Sequence, residues 1–144
     1  MIAKKIAIAS DHAGVELKSK LKVLLEDMGA EIVDFGTNSD ESVDYPDYAE
    51  KVARAIISGE VEKGVLICGT GIGISIAANR HKEIRAALCC SARAAEMTRL
   101  HNDANILALG ARMLSEEEAV NITATFFATE FEGGRHQKRI NKMS

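Results

Sequence analysis

The densest chemistry in this sequence lies in Cys68-Gly69-Thr70-Gly71-Ile72-Gly73-Ile74-Ser75. Glycines let a backbone turn tightly and approach a ligand closely. A helix opening at that point adds unpaired N–H groups and a positive dipole end. A loop built this way holds a phosphate or stabilises an oxyanion, and it favours the thiolate of a cysteine beside it. The run lacks the full G-x-G-x-x-G dinucleotide spacing and the lysine of a phosphate-binding P-loop. Stripped of chemistry, the same residues make a tight strand-to-helix turn with a buried cysteine.

Four other groups can take part. Asp11-His12 pairs a carboxylate with a side chain that transfers protons near neutral pH, although a helix cap beside an incidental histidine explains the same residues. His101-Asn102-Asp103 is polar enough for a site and also for a turn. Arg112 follows an apolar run and, taken alone, is more often a surface residue than a ligand. Arg135 and Arg139 stand four apart, so a helix puts both guanidiniums on one face, a geometry suited to a phosphate dianion or to a solvated basic tail. Cys89 and Cys90 read as buried strand-end residues, and Glu116, Glu117 and Glu118 as helix-start charges.

These residues need elements to position them. Lys4–Ala9, Glu31–Phe35, Gly64–Cys68, Arg85–Cys89 and Ile106–Leu109 read as short buried strands. Between them, Leu17, Leu21, Leu24 and Leu25 mark a helix over Val15–Met28, and Val52, Ala55 and Ile56 mark one over Tyr48–Ser58. Thr37–Asp47, with the only proline, reads as a loop, and a helix is expected from about Ser75 to Arg80. Another reaches about Leu100, and Ser115 with Glu118 forms a capping-box pattern. Alternating strands and helices predict an α/β fold, a Rossmann-like three-layer sandwich on a five-stranded parallel sheet. No linker or repeat interrupts residues 1–144, which are read as one domain ending in a basic helix at about 134–143. Ligands in such folds bind beyond the carboxyl ends of the strands.

Composition narrows the partners. The 144 residues carry a net charge of -3 and 47% hydrophobic residues, so no global basic field draws the chain to nucleic acid or anionic lipid. Ile6-Ala7-Ile8-Ala9 is too short for a signal-peptide core, and no apolar stretch suits a membrane helix. Three cysteines without CxxC or Cys/His zinc spacing predict reduced thiols, a cytoplasmic protein and no metal site.

Taken together, the segments resemble the type B ribose-5-phosphate isomerases and the related galactose-6-phosphate isomerase subunits. The resemblance rests on Ser10-Asp11-His12-Ala13-Gly14, Asp44-Tyr45-Pro46, the Cys68 to Asn79 run, His101 to Asn105, Gly110-Ala111-Arg112 and Glu132 to His136. It implies an aldose–ketose isomerisation through a cis-enediol, with no cofactor and no metal. Cys68 resembles the base that moves a proton between C2 and C1. Thr70 would assist at the substrate oxygens, and backbone N–H groups from Gly69 through Gly71, Ile72 and Gly73 to Ser75 would hold the enediolate. Some members use a glutamate from this loop instead; here Ser75 occupies the loop and Cys68 is present. The resemblance further assigns furanose opening to His101 with Asp11, phosphate binding to His12, Arg112, Arg135 and Arg139, and the sugar site to Tyr45 and Asn102. It implies a homodimer or dimer of dimers whose active site is shared across the interface. Ser91-Ala92-Arg93 departs from the family pattern, in which an aromatic is common. The rival readings are the same chemistry on allose or galactose 6-phosphate, and a non-catalytic phosphate-binding module.

Overall fold

The computed structural model describes residues 2–143. One parallel sheet contains β1 (Lys5–Ser10), β2 (Glu31–Asp34), β3 (Lys63–Cys68), β4 (Ala86–Leu88) and β5 (Ile106–Gly110), in the order β2-β1-β3-β5-β4. The helices are α1 (Val15–Asp27), α2 (Tyr45–Ile57), α3 (Ile72–Ala78), α4 (Ala92–Asn102), α5 (Glu116–Ala128) and α6 (Arg135–Asn141). A single 3₁₀ turn, His12–Gly14, leads into α1.

Alternation along the strands sorts the helices into layers, because successive side chains of a strand face opposite ways. Ile6, Ile8, Val65, Ile67, Leu107 and Leu109 share one core with Leu21 and Leu25 of α1, Ala95 of α4, and Ile122 and Phe126 of α5. Ala7, Ala9, Leu66, Cys68, Ile106 and Ala108 share the other with Ala49, Val52 and Ala53 of α2 and with Ile74 and Ala78 of α3. The expected three-layer α/β sandwich is therefore what forms.

The element boundaries depart from the sequence reading in instructive places. Helix α2 starts at Tyr45, inside the expected loop, because Pro46 falls in the first turn, where its missing N–H costs nothing. Helix α3 starts at Ile72 rather than near Ser75, since Gly71 turns the chain straight into the helix with φ +78°. His101 and Asn102 lie within α4, and the C-terminal helix spans Arg135–Asn141. Cys89 is buried as expected, and burial pushes its thiol up to about 11. Cys90 is exposed instead. The capping box forms: the Ser115 hydroxyl accepts from the Glu118 N–H, and the Glu118 carboxylate accepts from the Ser115 N–H.

One buried charge ties α1 to the sheet edge. Lys18, almost wholly buried, donates to both Asp34 carboxylate oxygens at 2.8 and 2.7 Å and to Asn38 Oδ1 at 2.6 Å. Burial acts to raise the Asp34 carboxyl, but hydrogen bonds from Lys18, the Gly36 N–H and Lys22 together hold it below its ordinary value. A depressed carboxyl contributes stability above its unfolded value and loses it as pH falls through the lower folded one. Asp34→Ala strands the Lys18 ammonium and is expected to cost about 3 kcal/mol at pH 7. The gap to the unaltered protein should shrink as pH falls below about 4, read from urea midpoints. Equal midpoints at pH 7 would remove the pair from the account of stability.

Candidate active site

The strand order reverses direction between β1 and β3, and in such sheets the crevice beyond the carboxyl ends opens at that switch point. Backbone hydrogen bonds carry the sheet past the strand ends there. The Asp11 N–H donates to the Ile67 carbonyl at 3.1 Å, the Ala111 N–H to Cys68 at 2.9 Å and the Arg112 N–H to Gly69 at 2.9 Å. The exits of β1, β3 and β5 are thereby locked side by side. Between them lies a cavity of about 400 Å³ lined by Asp11, Cys68, Gly69, Thr70 and Arg112, with Tyr45, Ile72 and Gly73 completing the wall.

Cys68 is only 4% exposed, and its sulfur accepts the Gly71 N–H at 3.2 Å, a contact that a thiolate accepts better than a thiol. Gly71 is required twice over. Its φ is +78°, and a β-carbon there would lie 2.7 Å from the Leu109 carbonyl carbon and 2.9 Å from the Gly110 nitrogen. Gly73 makes room for Tyr45, whose ring would lie 2.6 Å from an added β-carbon. Thr70 Oγ1 accepts the Ile72 N–H at 3.2 Å, and Asp11 Oδ1 caps the 3₁₀ turn by accepting the Ala13 N–H at 2.9 Å. His12 Nδ1 accepts the Val43 N–H at 3.2 Å, which leaves its other ring nitrogen for a ligand. The Ser75 hydroxyl donates to the Ile72 carbonyl at 2.7 Å. His12, Gly71 and Ser75 stand behind or beside the cavity wall rather than in it.

The remaining residues singled out in the sequence gather elsewhere. His101, Asn102, Arg135 and Arg139 line a separate cavity of about 450 Å³. A crossover helix in a parallel sheet runs back against its strands, so the last turn of α4 sits where strands begin. Lys63 marks that end: the first residue of β3 has its ammonium pushed down by burial and by nearby Arg99 of α4. The five residues of β5 therefore separate the two cavities by roughly 16 Å. Within one chain His101 does not reach Cys68.

An arginine network holds that second cavity. Arg85 Nε donates to the Asn102 carbonyl at 2.9 Å. Buried Arg99 donates to Asp103 Oδ1 at 2.8 Å and to the Ala104 carbonyl at 2.9 Å. Asp103 closes α4 with φ +46°. On this frame the His101 ring stacks on His136, with centroids 4.3 Å apart and planes 18° from parallel. Sequence reasoning assigned His136 no role; its place between Arg135 and Arg139 on one short helix was the available signal.

Fold and site together define a Rossmann-like α/β protein with a thiol-bearing cavity at the carboxyl ends of β1, β3 and β5 and a cation-rich cavity at the opposite end. The model of the Ribose/Galactose Isomerase family matches residues 6–143, and the chain belongs to that family. It is 47% identical over 141 residues to ribose-5-phosphate isomerase B of Escherichia coli (strain K12), covering 98% of this chain and 95% of the relative. The crystal structure of a ribose 5-phosphate isomerase from Thermotoga maritima superimposes with a TM-score of 0.94 at 56% identity, covering 97% of each chain. Ribose-5-phosphate isomerase B from Mycoplasma genitalium, solved with bound ribulose-5-phosphate, matches at TM-score 0.93 and 41% identity, covering 99% of this chain and 95% of that one.

Gly71→Ala tests the geometry around the thiol. An alanine forced to positive φ against backbone is expected to destabilise the protein by more than about 1 kcal/mol, measured as a lowered denaturant midpoint. An unchanged midpoint would mean that the loop relaxes at no cost, and that the turn does not hold Cys68.

Proposed function

We propose that this protein interconverts ribose 5-phosphate and ribulose 5-phosphate through a cis-enediol, with Cys68 as the base. The observation that carries the reading is the buried Cys68 sulfur at the wall of the switch-point cavity, held by the Gly71 N–H. A thiolate there takes the C2 proton of the open-chain aldose, the C1 carbonyl oxygen becomes an enediolate oxygen, and the thiol, whose proton exchanges with solvent while the enediol stands, delivers a proton to C1. Thr70 relays protons between the two substrate oxygens, and backbone N–H groups of the 69–75 loop stabilise the developing charge. His101 with Asp11 opens the furanose ring. His12, Arg112, Arg135 and Arg139 bind the phosphate, while Tyr45 and Asn102 bound the sugar. The chemistry uses side chains and backbone alone, with no cofactor in any step.

The active form on this reading is a homodimer or dimer of dimers in which one copy supplies Cys68, Asp11 and Arg112, and another supplies His101, Asn102, Arg135 and Arg139. Two observations support it. The two sets occupy cavities at opposite ends of the sheet. Ile72 of the thiol cavity wall is also 49% exposed, and Ile76 one turn further along α3 and Met113 next to Arg112 in sequence are exposed too, as on a surface that receives a partner. We place the enzyme in the cytoplasm, where its three free cysteines stay reduced. Among the described residues no helix is long and apolar enough to cross a membrane.

Proton-detected NMR in heavy water, on chelator-treated protein given ribose 5-phosphate, should show ribulose 5-phosphate carrying deuterium at C1. Cys68→Ala should lower turnover by about 10³-fold or more while substrate binding stays within a few fold. Full turnover in that variant would dismiss Cys68 as base, and turnover confined to allose or galactose 6-phosphate would move the substrate to a hexose.

Sharing of the site is tested by mixing. Cys68→Ala and His101→Ala preparations, each impaired on ribose 5-phosphate, should regain about a quarter of wild-type turnover of that substrate after subunit exchange, because half the dimers then hold one intact site of two. No recovery despite verified exchange would mean that His101 of one copy does not serve the Cys68 site of another.

A further inference from the structure

The stacked pair His101–His136 is unexplained by the roles above. His136 is 4% exposed, and its Nε2 makes no hydrogen bond among the described residues, with Glu132 Oε1 3.4 Å away. A buried ring nitrogen whose nearest carboxylate falls short of a hydrogen bond is costly, so a feature that retains one needs a reason. The backbone that carries the ring is anchored. The Glu132 N–H donates to the Leu100 carbonyl at 3.1 Å, which ties this segment to the last turn of α4, and the His136 N–H donates to Gly133 at 3.2 Å. His101, by contrast, is half-buried on that last turn, and its face lies flat on His136.

We propose that His136 is a positioning residue whose ring fixes the plane of the His101 imidazole and couples it to the phosphate-binding helix α6. The inference rests on the ring-opening role of His101 proposed above. One face of His101 is covered by His136, and His101 lines the cavity that Arg135 and Arg139 also line. Proton transfer needs the ring nitrogen aimed at one oxygen, and a flat partner removes rotation about χ2 without occupying either ring nitrogen. Arg135 and Arg139 flank His136 on one helix, so phosphate held by that helix sits at a set distance from the aimed imidazole. His101, Glu132 and His136 also bring three ligand-type atoms within 4.8 Å of one another. A tetrahedral metal wants such atoms roughly 3.3 Å apart and converging, whereas near-parallel rings aim their in-plane lone pairs alike. The stack therefore suits orientation and not coordination.

The test uses two reactions of the same enzyme. Ribose 5-phosphate arrives as a furanose: a proton must reach the ring oxygen, the C1–ring oxygen bond breaks, and the anomeric hydroxyl loses its proton to leave the aldehyde. Ribulose 5-phosphate has its C5 oxygen esterified, cannot close to a furanose, and exchanges its C1 proton with heavy water through the enediol alone. His136→Ala should lower ribose 5-phosphate turnover about tenfold or more and leave C1 exchange of ribulose 5-phosphate within about twofold. His136→Phe, which keeps a flat ring in the stack, should recover most of the lost turnover. The proposal is overturned if both reactions fall alike, if ribose 5-phosphate turnover is unaffected, or if phenylalanine is as poor as alanine. His101→Ala is the reference: if it fails to separate the two reactions, ring opening does not belong to His101 and the proposal falls with that role. Stoichiometric zinc held by the wild type through dialysis and lost in His136→Ala would also overturn it, making the cluster a metal site.

Discussion

The polarity of a parallel sheet governs everything else in this molecule. Each strand must leave at one end, and each crossover helix must bring the chain back to the other. Side chains at strand exits and side chains at helix ends are thus sorted to opposite poles. Asp11, Cys68 and Arg112 leave β1, β3 and β5, adjacent strands in the sheet, and so meet without any long loop to carry them. His101 ends α4 and therefore lies at the other pole, where α6 joins it. A chemistry that needs both sets cannot be satisfied by one chain, whatever its side chains, and the proposed assembly follows from topology rather than from any particular interface residue.

Within the thiol cavity the important property is rigidity ahead of binding. Three backbone hydrogen bonds fasten the strand exits together, and the Gly71 turn drops an N–H onto the sulfur. Donors held in place before the substrate arrives need no reorganisation as charge develops, which is where catalytic stabilisation is greatest. The same reasoning explains the distribution of glycine and tyrosine. Helix propensity alone disfavours Gly73 inside α3, yet its missing β-carbon is what lets the Tyr45 ring lie over the cavity wall. Local propensity yields there to the shape of the site.

The layer order, the core and the capping box at Ser115 were legible because they rest on periodicity and on spacing within a few residues. Cys68, Gly69, Thr70, Asp11 and Arg112 were legible as a group because strand exits are readable once strands are. Three features were not. The starts of α2 and α3 are later in the sequence reading because Pro46 reads as a loop residue unless it is placed in a first turn, and because Gly73 disfavours helix where only the room it leaves for Tyr45 accounts for it. Lys18 gave no sign of burial, since its partners Asp34 and Asn38 come from β2 and the loop beyond it. The face that His136 offers to His101 depends on how α6 docks on α4, with the two rings 35 positions apart in sequence, and no local pattern encodes that docking.

Phosphate recognition carries the topological argument one step further. The chain is net acidic, so a phosphate dianion must be met by local cations and not by a general field. Those cations are themselves divided between the poles: Arg112 borders the thiol cavity, while Arg135 and Arg139 border the other. On the proposed reading a single phosphate is gripped by guanidiniums from two copies, and the sugar it carries spans from His101 of one to Cys68 of the other. A ligand held that way has affinity only for the assembled state, and by mass action anything that binds only the assembled state stabilises assembly. Substrate binding and subunit association then become two descriptions of one equilibrium, which gives the interface the same selective weight as the catalytic residues it joins.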